Sequence, residues 1–184
     1  MTNREKYISI LSQVPNADGM VEWLTKTDFF TAPASAKYHS NYGGGLCYHS
    51  LEVYEQLTQS PIAHCYSKEA LIKVALLHDI CKANFYVVDY RNAKIDGKWE
   101  QVPFYTVKDD FPYGHGEKSV LLASRFMRLS EEEMMAIRWH MGAFDEAVKG
   151  GFNLSQVYEK YPLALELHIA DMRATYLVET RNNR

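Results

Sequence analysis

Leu71-Ile72-Lys73-Val74-Ala75-Leu76-Leu77-His78-Asp79-Ile80-Cys81-Lys82 is the stretch whose reading decides the fold. Leu71, Val74, Ala75 and His78 fall at offsets 0, 3, 4 and 7, one face of an amphipathic helix that Ser67 can cap. That stripe puts a histidine where a core residue belongs, with a carboxylate beside it. A His-Asp pair by itself says little, since composition alone yields roughly 0.3 such pairs in a chain of this kind. Burial is what makes it informative. A carboxylate withdrawn from water costs several kcal/mol unless something compensates it.

A second carboxylate, Asp171, shares this character. Pro162 suits the first turn of a last helix running to about 181. Its inward stripe reads Leu163, Leu167, Ala170, Asp171, Ala174 and Leu177 or Val178. Earlier, Leu46 to about Gln59 forms a helix with Leu46, Ser50 or Val53, and Leu57 on one face, stopped before Pro61. His49 lies on it. No basic residue stands on the stripes that carry Asp79 and Asp171, so a metal ion is the group that satisfies both carboxylates and the imidazoles.

The remaining chain is mostly helical in pattern. Short helices are expected over 3–14, ended by Pro15-Asn16-Ala17-Asp18-Gly19, and over 20–26. Residues 31–45 read as loop, with Pro33 and the run Gly43, Gly44, Gly45. Helices return at 116–128 and at about 131–141, the second opened by a Ser130/Glu133 capping box, with Glu131, Glu132 and Glu133 exposed beside the dipole. Residues 143–161 are ambiguous around Gly150-Gly151. Residues 84–113 differ: two aromatic and β-branched runs flank Asp96-Gly97, a hairpin turn signal. The expectation is an all-α bundle in one domain, 1–184, with a core of about 38–180 and a β-hairpin insertion at about 84–113.

Composition narrows the function. The formal net charge is −3, from 20 Lys+Arg against 23 Asp+Glu, which disfavours a sequence-blind grip on long nucleic acid. Hydrophobic residues make up 47%, enough for a sizeable core. Cys47, Cys65 and Cys81 are too few and scattered for a disulfide framework; Cys47 and Cys81 read as buried packing. Neither a secretory leader nor a membrane span is legible, so a cytoplasmic protein without a membrane partner is expected.

The order His49, His78-Asp79, Asp171 resembles the H…HD…D series of the HD superfamily of metal-dependent phosphohydrolases. Gly44-Gly45-Leu46-Cys47-Tyr48-His49-Ser50 is similar to that family's entry to its first ligand helix. Leu76-Leu77-His78-Asp79-Ile80-Cys81-Lys82 is similar to its LLHDxxK helix end. Gly114-His115-Gly116-Glu117 and Trp139-His140-Met141-Gly142 resemble the added histidine motifs of its two-metal members. The resemblance spans roughly 38–180. It implies an HD-domain helical bundle in which His49, His78, Asp79 and Asp171 hold one ion. It also implies that Asp79 bridges to a second ion held with His115 and His140. A mixed imidazole and carboxylate set suits Mn, Fe, Co, Ni or Zn better than Mg or Ca.

The implied activity is hydrolysis of a phosphate ester or anhydride in a small substrate, a nucleotide first, by metal-activated water. Asp79 and Lys82 are the catalytic candidates, Lys82 by neutralising a phosphoryl oxygen. A 3′–5′ exoribonuclease-like phosphodiesterase is one alternative; a nucleotide-binding regulatory module without turnover is the other. One or two ions remain open, because in single-metal relatives the equivalents of His115 and His140 contact substrate. His39 reads equally as a phosphate contact or a surface histidine. His168 reads as partly buried and locally bonded, His64 as surface. In the insertion, Arg91 and Lys94 flank Tyr90 and suit an anionic substrate, although aromatics packed on the helical body are the commoner outcome for such a hairpin.

Overall fold

The computed structural model of the chain describes residues 1–149, 151 and 153–179. Side-chain caps at Thr2, Ser67 and Ser130 each open a helix. Thr2 and Glu5 form a capping box for α1 (Asn3–Leu11), and Ser67 caps α4 (Lys68–Leu77) by accepting from the Ala70 amide. Between them lie α2 (Asp18–Lys26) and α3 (Gly45–Thr58). Ser130 and Glu133 form the expected box at the start of α6 (Glu131–Trp139). Helix α5 (His115–Ser124) precedes it and ends earlier than its pattern suggests. Residues 142–148 are two 3-10 turns, followed by α7 (Asn153–Lys160) and α8 (Pro162–Arg173). The stretch expected to reach 181 continues from α8 as a π-helical turn, Ala174–Glu179; residues 150, 180 and 181 lie outside the described ones.

Helices α3 and α6 each pack against both α4 and α8, which closes a four-helix ring. Leu46, Leu57, Val74, Leu76, Leu77, Ile137 and Leu167 fill it, all essentially withdrawn from solvent. Each such side chain contributes roughly 1.5–3 kcal/mol on burial. The core reaches beyond the expected 38–180, because α1 and α2 bury Tyr7, Leu11, Met20 and Leu24 against it. Tyr7 is held there by its hydroxyl, which donates to the Leu76 carbonyl at 2.6 Å. Glu133 is a correction. It is buried rather than exposed, and its carboxylate lies 2.7 Å from the Lys73 ammonium, satisfying a charge that α4 carries into the interior.

The insertion is a two-stranded antiparallel hairpin, β1 (Tyr86–Ile95) and β2 (Lys98–Val107), in register from Tyr86↔Val107 to Ile95↔Lys98. Asp96 and Gly97 both have positive φ, 49° and 83°, as a tight two-residue hairpin turn demands. The insertion's aromatics pack on the helical body only in part: Phe85, Tyr86, Phe104 and Tyr105 are half-buried and Lys118 of α5 lies over Phe85 and Phe111, whereas Tyr90, Trp99 and Tyr113 are exposed, Trp99 by 72%. The hairpin is tied down at its base, where the Tyr86 hydroxyl donates to the Ala34 carbonyl at 3.4 Å, and its tip extends away. Among the described residues no helix is long and apolar enough to cross a membrane.

Candidate metal centre

The four-helix ring delivers its histidines from helix ends. His78 is the last residue of the α4 helical path and His140 that of α6; His49 comes from the first half of α3 and His115 opens α5. The end positions matter because they fix the rings. His78 Nδ1 donates to the Ala75 carbonyl at 2.8 Å, and His140 Nδ1 to the Ile137 carbonyl at 2.7 Å. His49 Nδ1 is held by the buried Glu179 carboxylate at 2.7 Å. Carbonyls and carboxylates only accept, so each Nδ1 carries a proton, and whenever the ring is neutral its Nε2 presents the lone pair.

Those three Nε2 atoms converge. His49 Nε2 and His78 Nε2 are 3.3 Å apart. His49 Nε2 also lies 3.3 Å from Asp171 Oδ1, and His140 Nε2 has no hydrogen-bond partner although wholly buried. Acceptors thus face acceptors. Ligands about 2.0–2.2 Å from one ion stand roughly 3–3.5 Å from each other, so the spacing fits coordination. His39, His49, His78, His140 and His115 form a row in which successive ring centroids are 4.8–5.2 Å apart.

Asp79 sits at the middle, 2% exposed, and its two oxygens look in different directions. Oδ2 faces His49 Nε2 at 3.6 Å, His78 Nε2 at 3.5 Å and the Lys82 ammonium at 2.7 Å. Oδ1 faces His115 Nε2 at 2.8 Å and His140 Nε2 at 3.6 Å. Burial opposes its charge, but Lys82 and the surrounding imidazoles hold its carboxyl well below the usual range. Lys82 corrects the expectation that both carboxylates lack a basic partner. The chain leaves Asp79 in a 3-10 turn, Ile80–Lys82, where residues three apart eclipse each other. Lys82 is therefore folded back onto Asp79, whose carboxylate raises its pKa against burial. Among the described residues no Lys or Arg forms an ion pair with Asp171, and Arg138 is committed to Glu117 and Asp145.

Where no ion competes, protons stand in. Burial opposes charge on His49, yet Asp171 and Glu179 raise its pKa to about 10. His115, with a similar burial cost, is raised to about 10 by Cys81 and Asp79. Burial lowers His140 to about 4, as it does His39, where the charge of His49 adds to the effect.

His39 is thus part of the site's edge rather than a free surface histidine; its ring lies beside His49 and its Nε2 is buried without a partner. His168 is bonded locally, donating from Nδ1 to the His140 carbonyl at 2.7 Å, and His64 is exposed, both as expected. The glycine after His115 is explained by a close approach of backbone: a Cβ on Gly116 would stand 2.1 Å from the Arg138 carbonyl oxygen. Arg91 and Lys94 are not brought to the centre. Lys94 lies about 26 Å along the strand from Tyr86, taking ~3.3 Å per residue, and on the opposite hairpin face from Arg91. Arg91 instead stacks on Phe104 at 5.4 Å and lines a cleft of about 680 Å³ with Lys37, Asn41 and Tyr105.

Glu179 is the functional residue that periodicity misses. The π-helical turn shifts the register after Arg173, so Leu177 is 51% exposed and Glu179, 1% exposed, points inward. Its second oxygen accepts from the Ser40 hydroxyl. Glu179→Ala is expected to lower metal affinity by about 10- to 100-fold, the usual effect of losing a carboxylate behind a histidine ligand. Glu179→Gln, which keeps an acceptor, should lie between it and the unaltered chain. Competition with a fluorescent chelator measures both; equal affinities for all three would remove Glu179 from the site.

Four groups of side chains among the described residues can each hold an ion: His39/His49/Glu179, His49/His78/Asp79, His78/His140/Asp171 and Asp79/Cys81/His115. Their overlap makes them one continuous centre. Compared with protein-family models, curated proteins and solved structures, the chain finds no match.

Proposed function

We propose that this chain is a metal-dependent phosphohydrolase of the HD type, acting on a phosphate ester or anhydride of a small, nucleotide-like substrate. The observation that carries the reading is the convergence of buried, tautomer-locked Nε2 atoms on Asp79 and Asp171. Such a set is unfavourable without a cation and favourable with one. His49, His78, Asp79 and Asp171 would hold one ion. Asp79, His115 and His140 would hold another. When bound, the ions supply Lewis acidity toward a phosphoryl oxygen and a nucleophile from water at neutral pH.

The chain's own residues do the rest. Asp79 keeps the two halves of the donor set in register by offering one oxygen to each. Lys82, drawn against Asp79 and only 12% exposed, needs a small side-chain rotation to meet a phosphoryl oxygen, leaving Asp79 to the cations. His39 offers a buried, unpaired Nε2 at the edge of the centre. Its loop also carries Lys37 and Asn41 into the cleft shared with Arg91, a volume in the range of small-molecule sites.

The deciding experiment is phosphate or nucleoside release from a panel of nucleotides and phosphomonoesters after loading with Mn, Co, Ni or Zn. Turnover that disappears with chelation supports the reading; no release from any of them, with metal bound, defeats it. Exposed Tyr90 and Trp99 favour one second reading, a phosphodiesterase acting on the end of a single strand, since bases stack on such rings. A short single-stranded RNA in the same panel separates the two. Within the first reading, Arg91→Ala should raise KM several-fold with kcat and metal content unchanged. An unchanged KM with a lower Tm would leave Arg91 a packing role on Phe104.

A further inference from the structure

Cys81 occupies a place in this centre that packing alone does not require. Its side chain is 3% exposed, yet its sulfur is turned to an imidazole: Sγ lies 3.4 Å from His115 Nδ1 and 4.0 Å from His115 Nε2. The backbone is pinned in that orientation, because the Cys81 amide donates to the buried Ser119 hydroxyl at 3.2 Å, tying the 3-10 turn after Asp79 to α5. Asp79, Cys81 and His115 each offer a ligand atom within 4.8 Å of the others. A second observation concerns His140, whose wholly buried Nε2 has no hydrogen-bond partner among the described residues: it groups with His78 and Asp171 but also lies 3.6 Å from Asp79 Oδ1, the oxygen that faces His115.

Charge decides what the sulfur is for. On the His49 side, Asp171 is an anion that need not be shared. On the His115 side the remaining donors are neutral imidazoles and one oxygen of Asp79. A divalent cation there would have only half of a shared carboxylate against it, in a site only partly open to water, His115 being 28% exposed and Asp79 2%. A thiolate supplies the missing charge.

We propose that Cys81 is a metal ligand, completing with Asp79, His115 and His140 a second position whose donor set is sulfur, nitrogen and oxygen. The two positions then differ in softness. The His49 side accepts the harder borderline ions, whereas the Cys81 side selects Zn, Co, Ni or Fe over Mn and Mg. Binding expels the thiol proton to solvent and forms one sulfur–metal bond, without any change of oxidation state. The inference rests on the metal-centre reading above but not on phosphohydrolase activity.

Cobalt(II) titration of the metal-free, full-length chain tests it. A near-ultraviolet thiolate-to-cobalt charge-transfer band is expected to grow with the second equivalent. It should persist in Cys47→Ser and Cys65→Ser, cysteines that belong to none of the metal-competent groups, and vanish in Cys81→Ser together with the second equivalent. X-ray absorption of the unaltered chain with two equivalents of zinc needs no variant to fold; it should show a sulfur shell near ~2.3 Å, averaging half an atom per ion. Two ions bound with no band and no sulfur shell would overturn the assignment while leaving the metal centre standing. So would a band that survives in Cys81→Ser. Failure to bind any ion would remove the centre and the assignment together.

Discussion

Asp79→Asn is expected to release at least one metal ion and to lower kcat by about 10²–10⁴-fold, the range for removing a group that acts on transition-state charge. The replacement keeps the volume and one oxygen, so a loss of this size must come from charge and from the missing second acceptor. Both are specific to this position. Oδ1 and Oδ2 of Asp79 each face a different set of imidazoles, and no other carboxylate among the described residues does this. Two divalent ions ~3.5–4 Å apart repel strongly, and an anion shared between them is what makes that separation tolerable. Asp171→Asn should be milder, costing the ion on the His49 side first. The fold should survive Asp79→Asn with its helical signal intact, since Val74, Leu76 and Leu77 anchor the preceding turn. Its Tm should nevertheless fall, because Lys82 loses the carboxylate 2.7 Å away. Metal content by elemental analysis and circular dichroism separate these effects. Full metal content with normal turnover would reduce the His-Asp pair to a helix end.

How far the centre was legible depended on whether local periodicity held. His78 lies on a regular α-helical stripe, so the 3.6-residue spacing alone places it inward, whereas His49, in another regular helix, is singled out by the resemblance. Asp171 lies on such a stripe as well, within the last turn of the regular helix. Glu179 does not, because the chain passes through a π-helical turn first: Ala174 is still buried as expected, but Leu177 is turned out and Glu179 in. Nothing in ATYLVE announces that change; Leu177 and Val178 look like better core residues. The contacts of Lys82 and Cys81 escaped for a related reason, although Cys81 is buried as expected. Both residues follow His78 in a 3-10 turn, whose eclipsed geometry folds Lys82 onto Asp79 and aims Cys81 at α5, neither of which an α-helical projection gives. The hairpin shows the opposite limit. Asp96-Gly97 and the flanking β-branched runs marked its strands and turn, but its pairing energy is local. Whether its aromatics cover the helical body depends on the angle at its base, set by contacts such as Tyr86 with Ala34 that lie far apart in sequence.

Metal binding should be steeply coupled to protons, and the coupling identifies the ligands without any substrate. In the metal-free chain His49 and His115 have pKa values near 10 and are charged at neutral pH, while His140, lowered to about 4, is not. An ion needs the Nε2 lone pair, so filling both positions should expel about two protons from histidine, and these alone should make the overall affinity for the two ions rise by roughly two decades per pH unit below pH 9, with a Cys81 thiol proton adding to that slope. Stability follows with opposite signs. The raised pKa values of His49 and His115 stabilise the metal-free fold fully below the unfolded value near 6.5, and that contribution is lost as pH climbs through about 10. The lowered pKa of His140 stabilises it above 6.5, and that part is lost as pH falls through about 4. The metal-free chain should therefore lose Tm toward both extremes. The metal-bound chain, whose imidazoles no longer depend on protons, should hold its Tm on the alkaline side, so the increment from metal should widen between pH 6 and pH 9. Calorimetric titration in two buffers of different ionisation enthalpy counts the protons, and melting curves with and without metal follow the increment. Binding with no net proton release, and an increment flat with pH, would show that His49 and His115 stay protonated beside the ion and so cannot be its ligands.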